Sequence, residues 1–151
     1  MIWGCMTAQG VGYMCRIDGG MDGELYRSIL DDYVLETVGY YGMDPGDFIF
    51  QQDNDPKHTA KLTKQWFKDK NVELLEWPAQ SPDLNPIEHL WDELEWRLNS
   101  YEAVPTSMHA LWDRVQVEWE KISKEVCVNL IESMPRRVAA VLKAKGGYTK
   151  Y

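Results

Sequence analysis

Apolar segments of strand length alternate with stretches of helical period through the first two thirds of the chain. Turn residues bound four such segments, and we predict strands at residues 2–6, 11–17, 48–52 and 72–77. Because Gln9 and Gly10 form a turn signal, the first two strands are predicted to pair as a hairpin. Strands that alternate with helices predict an α/β fold for this part of the chain.

Two helices are predicted between these strands. Asp22 is a suitable N-cap for a helix that extends to about Val38. A second helix is predicted from His58 to Lys70, with Leu62, Trp66 and Phe67 facing inward.

Only helices are predicted after residue 85. Asn85 is suited to the N-cap and Pro86 to the first helical position, and a buried stripe follows at Ile87, Leu90, Trp91, Leu94 and Leu98. Pro105 and Thr106 open what we expect to be the longest helix, with an inward stripe at Met108, Leu111, Trp112, Val115, Trp119 and Ile122. Residues 126–134 are expected to continue it after a bend, and a last helix is predicted from Pro135 to Lys145.

Composition narrows the class of protein. The chain has 151 residues, which predicts one domain or a piece of one, and neither a leader peptide nor a membrane-spanning apolar run is visible. A net charge of −8 disfavours strong DNA binding by charge alone. Three widely spaced cysteines exclude a disulfide framework and favour an intracellular protein.

Two carboxylates stand where metal chemistry is possible. Asp53 follows an apolar strand in QQDNDPKHT, and Glu88 lies in the first helical turn of SPDLNPIEHLW. Ligands of α/β sheets bind beyond the carboxyl ends of strands, and Mg²⁺ prefers oxygen ligands. Two such ions can stabilise the attacking and leaving oxygens of a phosphodiester.

Structural explanations remain open for the same residues. Asp53 also suits a turn, and Glu88 could form a capping box with Asn85 or complement the helix dipole. His58 could orient a ligand or pack at a helix start, and Asp92 could assist Glu88 or be a solvated charge. The basic residues near the C-terminus could meet phosphates or complement a helix dipole; they are Arg136, Arg137, Lys143, Lys145 and Lys150.

The sequence resembles the catalytic core of the mariner superfamily of DDE transposases. QQDNDPKHTA and WPAQSPDLNPIEHLWDELE, with 34 residues between Asp53 and Glu88, carry the resemblance, and IWGCMTAQGVG, LYRSIL and SMPRRVAAVLKAKGGYTKY extend it. It implies a ribonuclease H-like mixed sheet with flanking helices, in a nuclear enzyme that uses Mg²⁺ or Mn²⁺. Such an enzyme cuts transposon ends and joins them to target DNA. Asp53 and Glu88 would be the second and third catalytic carboxylates and metal ligands, assisted by Asn54, His58 and Asp92.

The resemblance also implies what residues 1–151 lack. The family's first catalytic Asp lies on a central strand upstream of the hairpin, and a helix-turn-helix region lies further upstream. We therefore expect a partial ribonuclease H-like domain over residues 1–100 with a helical extension of it over residues 101–151. Its two-metal site would be incomplete, and it would be inactive alone.

The absent strand would leave two sheet edges open. Such edges favour self-association or pairing with a full-length transposase. The alternative function is a non-catalytic remnant or a domesticated protein-interaction module.

Overall fold

The computed structural model describes residues 1–147 and 149–151. They form two compact units. The first contains Met1–Cys5 and Gly12–Ser81, and the second contains Met6–Val11 and Pro82–Tyr151. The sequence-based division at residue 100 stays a prediction.

The strands of residues 1–147 and 149–151 form two small sheets. β1 (Ile2–Thr7) and β2 (Gly10–Arg16) form the predicted hairpin. β3 (Ile49–Phe50) pairs in parallel with β4 (Glu73–Leu74), and both are shorter than the apolar segments that contain them. Within the described residues the hairpin is not hydrogen-bonded to β3. The predicted sheet order requires this separation, because it places a further strand between them.

The first long helical segment contains one wide turn. α1 (Gly23–Ile29) and α2 (Leu35–Tyr40) flank a π-helical turn at Leu30–Val34. The predicted N-cap is confirmed, because Leu25 N donates to the Asp22 carboxylate at 2.8 Å.

The π turn keeps one face of this segment on the core. The buried residues recur every fourth position, at Tyr26, Leu30, Val34 and Val38. In an ideal α-helix such a spacing drifts by about 40° at each step, and a turn with more residues offsets part of that drift.

A close approach joins the hairpin to α2. A Cβ at Gly12 would lie 2.5 Å from Cys5 Sγ and 2.6 Å from Thr37 Cγ2, so only glycine fits there. The buried Thr37 hydroxyl accepts from Tyr13 N at 2.9 Å and donates to Tyr33 O at 2.7 Å.

α3 (Lys61–Asp69) begins three residues later than predicted. The Asp55 carbonyl accepts from His58 N and Thr59 N, so the chain makes a turn there and His58 precedes the helix. Trp66 and Phe67 are buried as predicted, on the core formed with α1 and α2. Leu62 is 39% exposed, so its predicted inward position is wrong.

The second unit is mainly helical. A 3₁₀ turn at Pro82–Leu84 precedes its four helices, α4 (Pro86–Asn99), α5 (Met108–Glu120), α6 (Lys124–Glu132) and α7 (Met134–Lys143).

Two details of the α5 prediction are wrong. Ser107 caps α5 by accepting from Ala110 N at 3.1 Å, which places Met108 at the first helical position with 69% of its surface exposed. α4, with 14 residues, is longer than α5, with 13.

Packing of α4 against α5 forms the centre of this unit. Trp91 stacks on Trp119 with ring centroids 5.0 Å apart, and Leu90, Leu94 and Val115 are buried. Among the described residues, no helix has the length and apolar character needed to cross a membrane.

Candidate active site

Asp53 lies in an irregular loop between β3 and α3. Its Oδ1 accepts from His58 Nδ1 at 2.5 Å and from Asp55 N at 3.0 Å. The side chain is nevertheless 55% exposed. One carboxylate oxygen is therefore fixed by neighbours, while the group as a whole remains accessible.

A closed set of contacts holds the His58 ring. The ring packs on Tyr26 with centroids 4.2 Å apart. The Tyr26 hydroxyl donates to Gln52 Oε1 at 2.7 Å, and Gln52 Nε2 donates to the His58 carbonyl at 2.9 Å. Burial, with the nearby Asp53 charge adding to it, raises the pKa of Tyr26, so its hydroxyl remains a donor.

His58 Nε2 is buried and has no hydrogen-bond partner among the described residues. Because Nδ1 is the ring nitrogen that meets the Asp53 carboxylate, Nε2 is the nitrogen left without a hydrogen bond in the described part of the chain. An unsatisfied buried polar atom is costly, and this one belongs to a ring that orients a candidate metal ligand.

Further contacts in this loop do not involve the Asp53 carboxylate. Asn54 Nδ2 donates to the Trp77 carbonyl at 2.7 Å, so its amide contacts the segment after β4. Lys57 Nζ donates to Asp55 Oδ2 at 2.6 Å, and this hydrogen bond lowers the pKa of Asp55.

Glu88 lies in the first turn of α4 and is exposed. Asn85 Nδ2 donates to Glu88 Oε1 at 3.1 Å. Asn85 has the extended backbone of an N-cap, but its side chain makes no capping hydrogen bond within the described residues. The Asn85 amide therefore orients the Glu88 carboxylate.

Two neighbours on α4 differ in environment. Asp92, one turn beyond Glu88, is exposed. His89 is half-buried and lies 3.2 Å from Arg137 Nη1 through its Nδ1. Burial, followed by the Arg137 charge, lowers the pKa of His89.

Arg137 departs from the sequence-based interpretation of the basic C-terminal residues. Only 1% of its surface is exposed, so it does not belong to a solvated basic tail. Its position could have been predicted from the spacing of Met134, Arg137 and Val141, which places Arg137 on the inward stripe of α7.

The donor chemistry fits a hard divalent cation. No cluster of three or more His, Cys, Asp or Glu side chains in the described part of the chain could hold a metal ion. The two candidate carboxylates lie in different units, Asp53 in the first and Glu88 in the second. Mg²⁺ typically binds one or two carboxylates and completes its coordination with water and substrate phosphates.

The profile of the DDE superfamily endonucleases matches residues 2–109. The chain belongs to this family. It is 44% identical over 155 residues to the transposable element Tc1 transposase of Caenorhabditis elegans. That alignment covers 100% of this chain and 54% of the relative, so the chain spans about half the relative's length.

Solved structures confirm the ribonuclease H-like fold implied by the resemblance. The Mos1 transposase catalytic domain, in a structure with raltegravir and Mg, aligns with a TM-score of 0.86 at 21% identity. That alignment covers 99% of this chain and 76% of the Mos1 chain. A Mos1 paired-end complex with the left transposon end also gives a TM-score of 0.86 at 21% identity, covering 97% of this chain and 44% of its own.

Proposed function

We propose that this chain is the larger part of a transposase catalytic domain that cleaves and joins DNA strands by phosphoryl transfer. The observation that carries the proposal is the accessible Asp53 carboxylate, fixed by the His58 ring, within the segment that matches the DDE endonucleases. The Tc1 transposase relative and the Mos1 complex with a transposon end support DNA as the substrate. This substrate also supports a nuclear location.

Asp53 and Glu88 are the proposed ligands of Mg²⁺ or Mn²⁺. Both are exposed carboxylates, which suits ions that also coordinate water and phosphate. When bound, these ions activate the attacking oxygen and stabilise the charge on the leaving oxygen. The Mos1 structure with Mg supports this choice of ion.

The protein's own groups set the positions of these carboxylates. His58 holds one oxygen of Asp53, and Asn85 holds one oxygen of Glu88. Asn54 fixes the loop through the Trp77 carbonyl. Asp92 is one helical turn from Glu88, where it can accept a water-mediated hydrogen bond near that carboxylate.

The family resemblance places a further catalytic carboxylate outside residues 1–151. We therefore infer that these residues alone bind metal weakly and do not cleave DNA. Strand transfer at transposon ends would require a longer chain, a second copy or a full-length transposase that completes the sheet.

Titration of Mn²⁺, followed by electron paramagnetic resonance, tests the ligand assignment. Wild type should bind weakly, and Asp53→Ala and Glu88→Ala should each lower the affinity further. Glu120→Gln removes an exposed carboxylate at the end of α5 and serves as the matched control. Unchanged affinity in both alanine variants would refute the assignment and favour the non-catalytic alternative.

Nicking of supercoiled plasmid tests activity. Residues 1–151 should produce no metal-dependent nicks. If nicks appear and are lost in Glu88→Gln, the chain completes its own catalytic site, and the inferred inactivity is wrong.

A further inference from the structure

Arg137 is a buried cation whose hydrogen-bond partners are neutral groups, with the Asp83 charge acting on it from nearby. Its Nε donates to Ser133 Oγ at 2.7 Å, and its Nη1 donates to the Asp83 carbonyl at 3.0 Å. The same Nη1 donates to His89 Nδ1 at 3.2 Å. Among the described residues no carboxylate forms an ion pair with it, although burial penalises its charge. Because this burial is costly, we expect its hydrogen bonds to hold a part of the fold in position.

Arg137 contacts the N-terminal end of α4 and the turn that precedes it. Asp83 belongs to the 3₁₀ turn that precedes the helix, and His89 lies in the first turn of the helix. Two residues near the C-terminus contact Asp83 and Arg137 themselves. Thr149 Oγ1 donates to Asp83 Oδ2 at 2.9 Å, and the Tyr151 ring lies 5.2 Å from Arg137 Cζ.

These contacts flank Glu88 on both sides in the sequence. Before it, Asn85 N donates to Pro82 O at 2.9 Å to close the turn, and the Asn85 amide reaches Glu88 Oε1. After it, His89 is fixed by Arg137. A planar guanidinium with several fixed donors can hold the turn and the imidazole at once, which a single ammonium cannot do in the same way.

We propose that Arg137, with Thr149 and Tyr151, is a positioning residue for Glu88. It fixes the turn and the first helical residues on either side of this carboxylate, so the C-terminal segment contributes to metal binding without touching the metal. The inference rests on the proposed function, because it assumes that Glu88 is a metal ligand.

Variants of neighbouring arginines provide the test. Arg137→Gln removes the buried charge, and Arg136→Gln removes the adjacent exposed charge on the same helix as a matched control. Residues that orient a metal ligand typically contribute ~10–100-fold to metal affinity. We expect a loss in that range for Mn²⁺ with Arg137→Gln, a partial recovery with Arg137→Lys, and wild-type affinity with Arg136→Gln.

Two readouts separate positioning from general stability. The ¹⁵N spectrum of the imidazoles should show His89 Nδ1 as a hydrogen-bond acceptor in wild type and should lose that signature in Arg137→Gln. The double variant Glu88→Gln, Arg137→Gln should bind Mn²⁺ no more weakly than Glu88→Gln alone, because Arg137 acts through Glu88. A further loss in the double variant would overturn the inference.

If Arg137→Gln does not fold, Thr149→Val provides a milder test. It removes only the hydrogen bond from Thr149 to the Asp83 carboxylate. It should lower the Mn²⁺ affinity by a few-fold with an unchanged melting temperature. If Glu88→Gln loses binding while folded Arg137 and Thr149 variants keep it, this inference fails and the proposed function stands. If Glu88→Gln binds as wild type does, the proposed function itself fails.

Discussion

The two candidate ligands are held in contrasting ways. Asp53 lies in an irregular loop, and its place depends on side-chain contacts with residues no more than five positions away. Glu88 lies on a regular helix, whose backbone already fixes its direction, and its further support comes through Arg137 from the other end of the unit. A loop carboxylate should therefore be sensitive to its immediate neighbours, whereas a helix carboxylate should tolerate their loss.

Tyr26→Ala should have the largest effect, because it removes the buried ring on which His58 packs. Loss of a large buried aromatic side chain typically costs about 3–5 kcal/mol. Tyr26→Phe keeps the ring and loses the hydroxyl bond to Gln52, so it should cost about 1–3 kcal/mol. Urea denaturation of both variants measures the difference, and equal costs would mean that the ring does not support the loop.

His58→Ala and Asn85→Ala compare the two carboxylates directly. Each variant deletes the side chain that donates to one candidate ligand. His58→Ala should weaken Mn²⁺ binding by ~10–100-fold, as losses of such orienting groups do. Asn85→Ala should have a smaller effect, because the helix backbone still directs Glu88. A titration in which Asn85→Ala is the more damaging variant would reverse the contrast drawn between loop and helix.

The residues at the N-caps of α4 and α5 should differ in how much they contribute to stability. Ser107 Oγ accepts a hydrogen bond from Ala110 N, so Ser107→Ala should destabilise the chain by about 1 kcal/mol. Within the part of the chain that the structure describes, the Asn85 side chain makes no capping hydrogen bond, so Asn85→Ala should cost less. Thermal unfolding of the two variants gives the order, and a larger cost for Asn85→Ala would show that its amide does cap α4 in solution.

Sequence patterns predicted the local features of both regions. The Asp22 cap and the helix start at Pro86 depend on neighbouring residues, and both are confirmed. Leu62 and Met108 show the limit of periodicity, because each lies in the first turn of its helix and is exposed. A helical period identifies a face of the helix, but it does not reveal whether another element covers that end.

Arg137 shows a different limit. Its charge favoured a surface position, while its spacing on α7 favoured burial, and burial is what the structure has. One of its hydrogen-bond partners is a backbone carbonyl 54 positions away, which no local pattern marks. Orienting contacts made within a loop can thus be anticipated from the sequence, whereas those made between distant segments require the fold.

The smallest expected effect is the loss of stability at low pH from the ion pair between Lys57 and Asp55 in the Asp53 loop. The hydrogen bond from Lys57 holds the pKa of Asp55 below its usual range, so this pair contributes stability when the carboxylate is charged. The contribution is complete above the ordinary pKa of an aspartate, near 4, and is lost as the pH falls through the lower value in the folded state. Both side chains are partly exposed, so the pair should contribute only about 0.2–1 kcal/mol.

Urea midpoints of wild type and Asp55→Asn, compared at pH 7 and at pH 3, measure this contribution. Asp55→Asn should lower stability more at pH 7 than at pH 3, because the wild-type carboxylate takes up protons as the pH falls toward its lowered pKa. Asp44→Asn, which changes an exposed aspartate in the preceding loop, should show no such difference and controls for net charge. If Asp55→Asn costs the same at both pH values, the Lys57 pair does not stabilise the loop. The support of Asp53 would then come from the His58 ring and the backbone turn, which do not depend on the charge of Asp55.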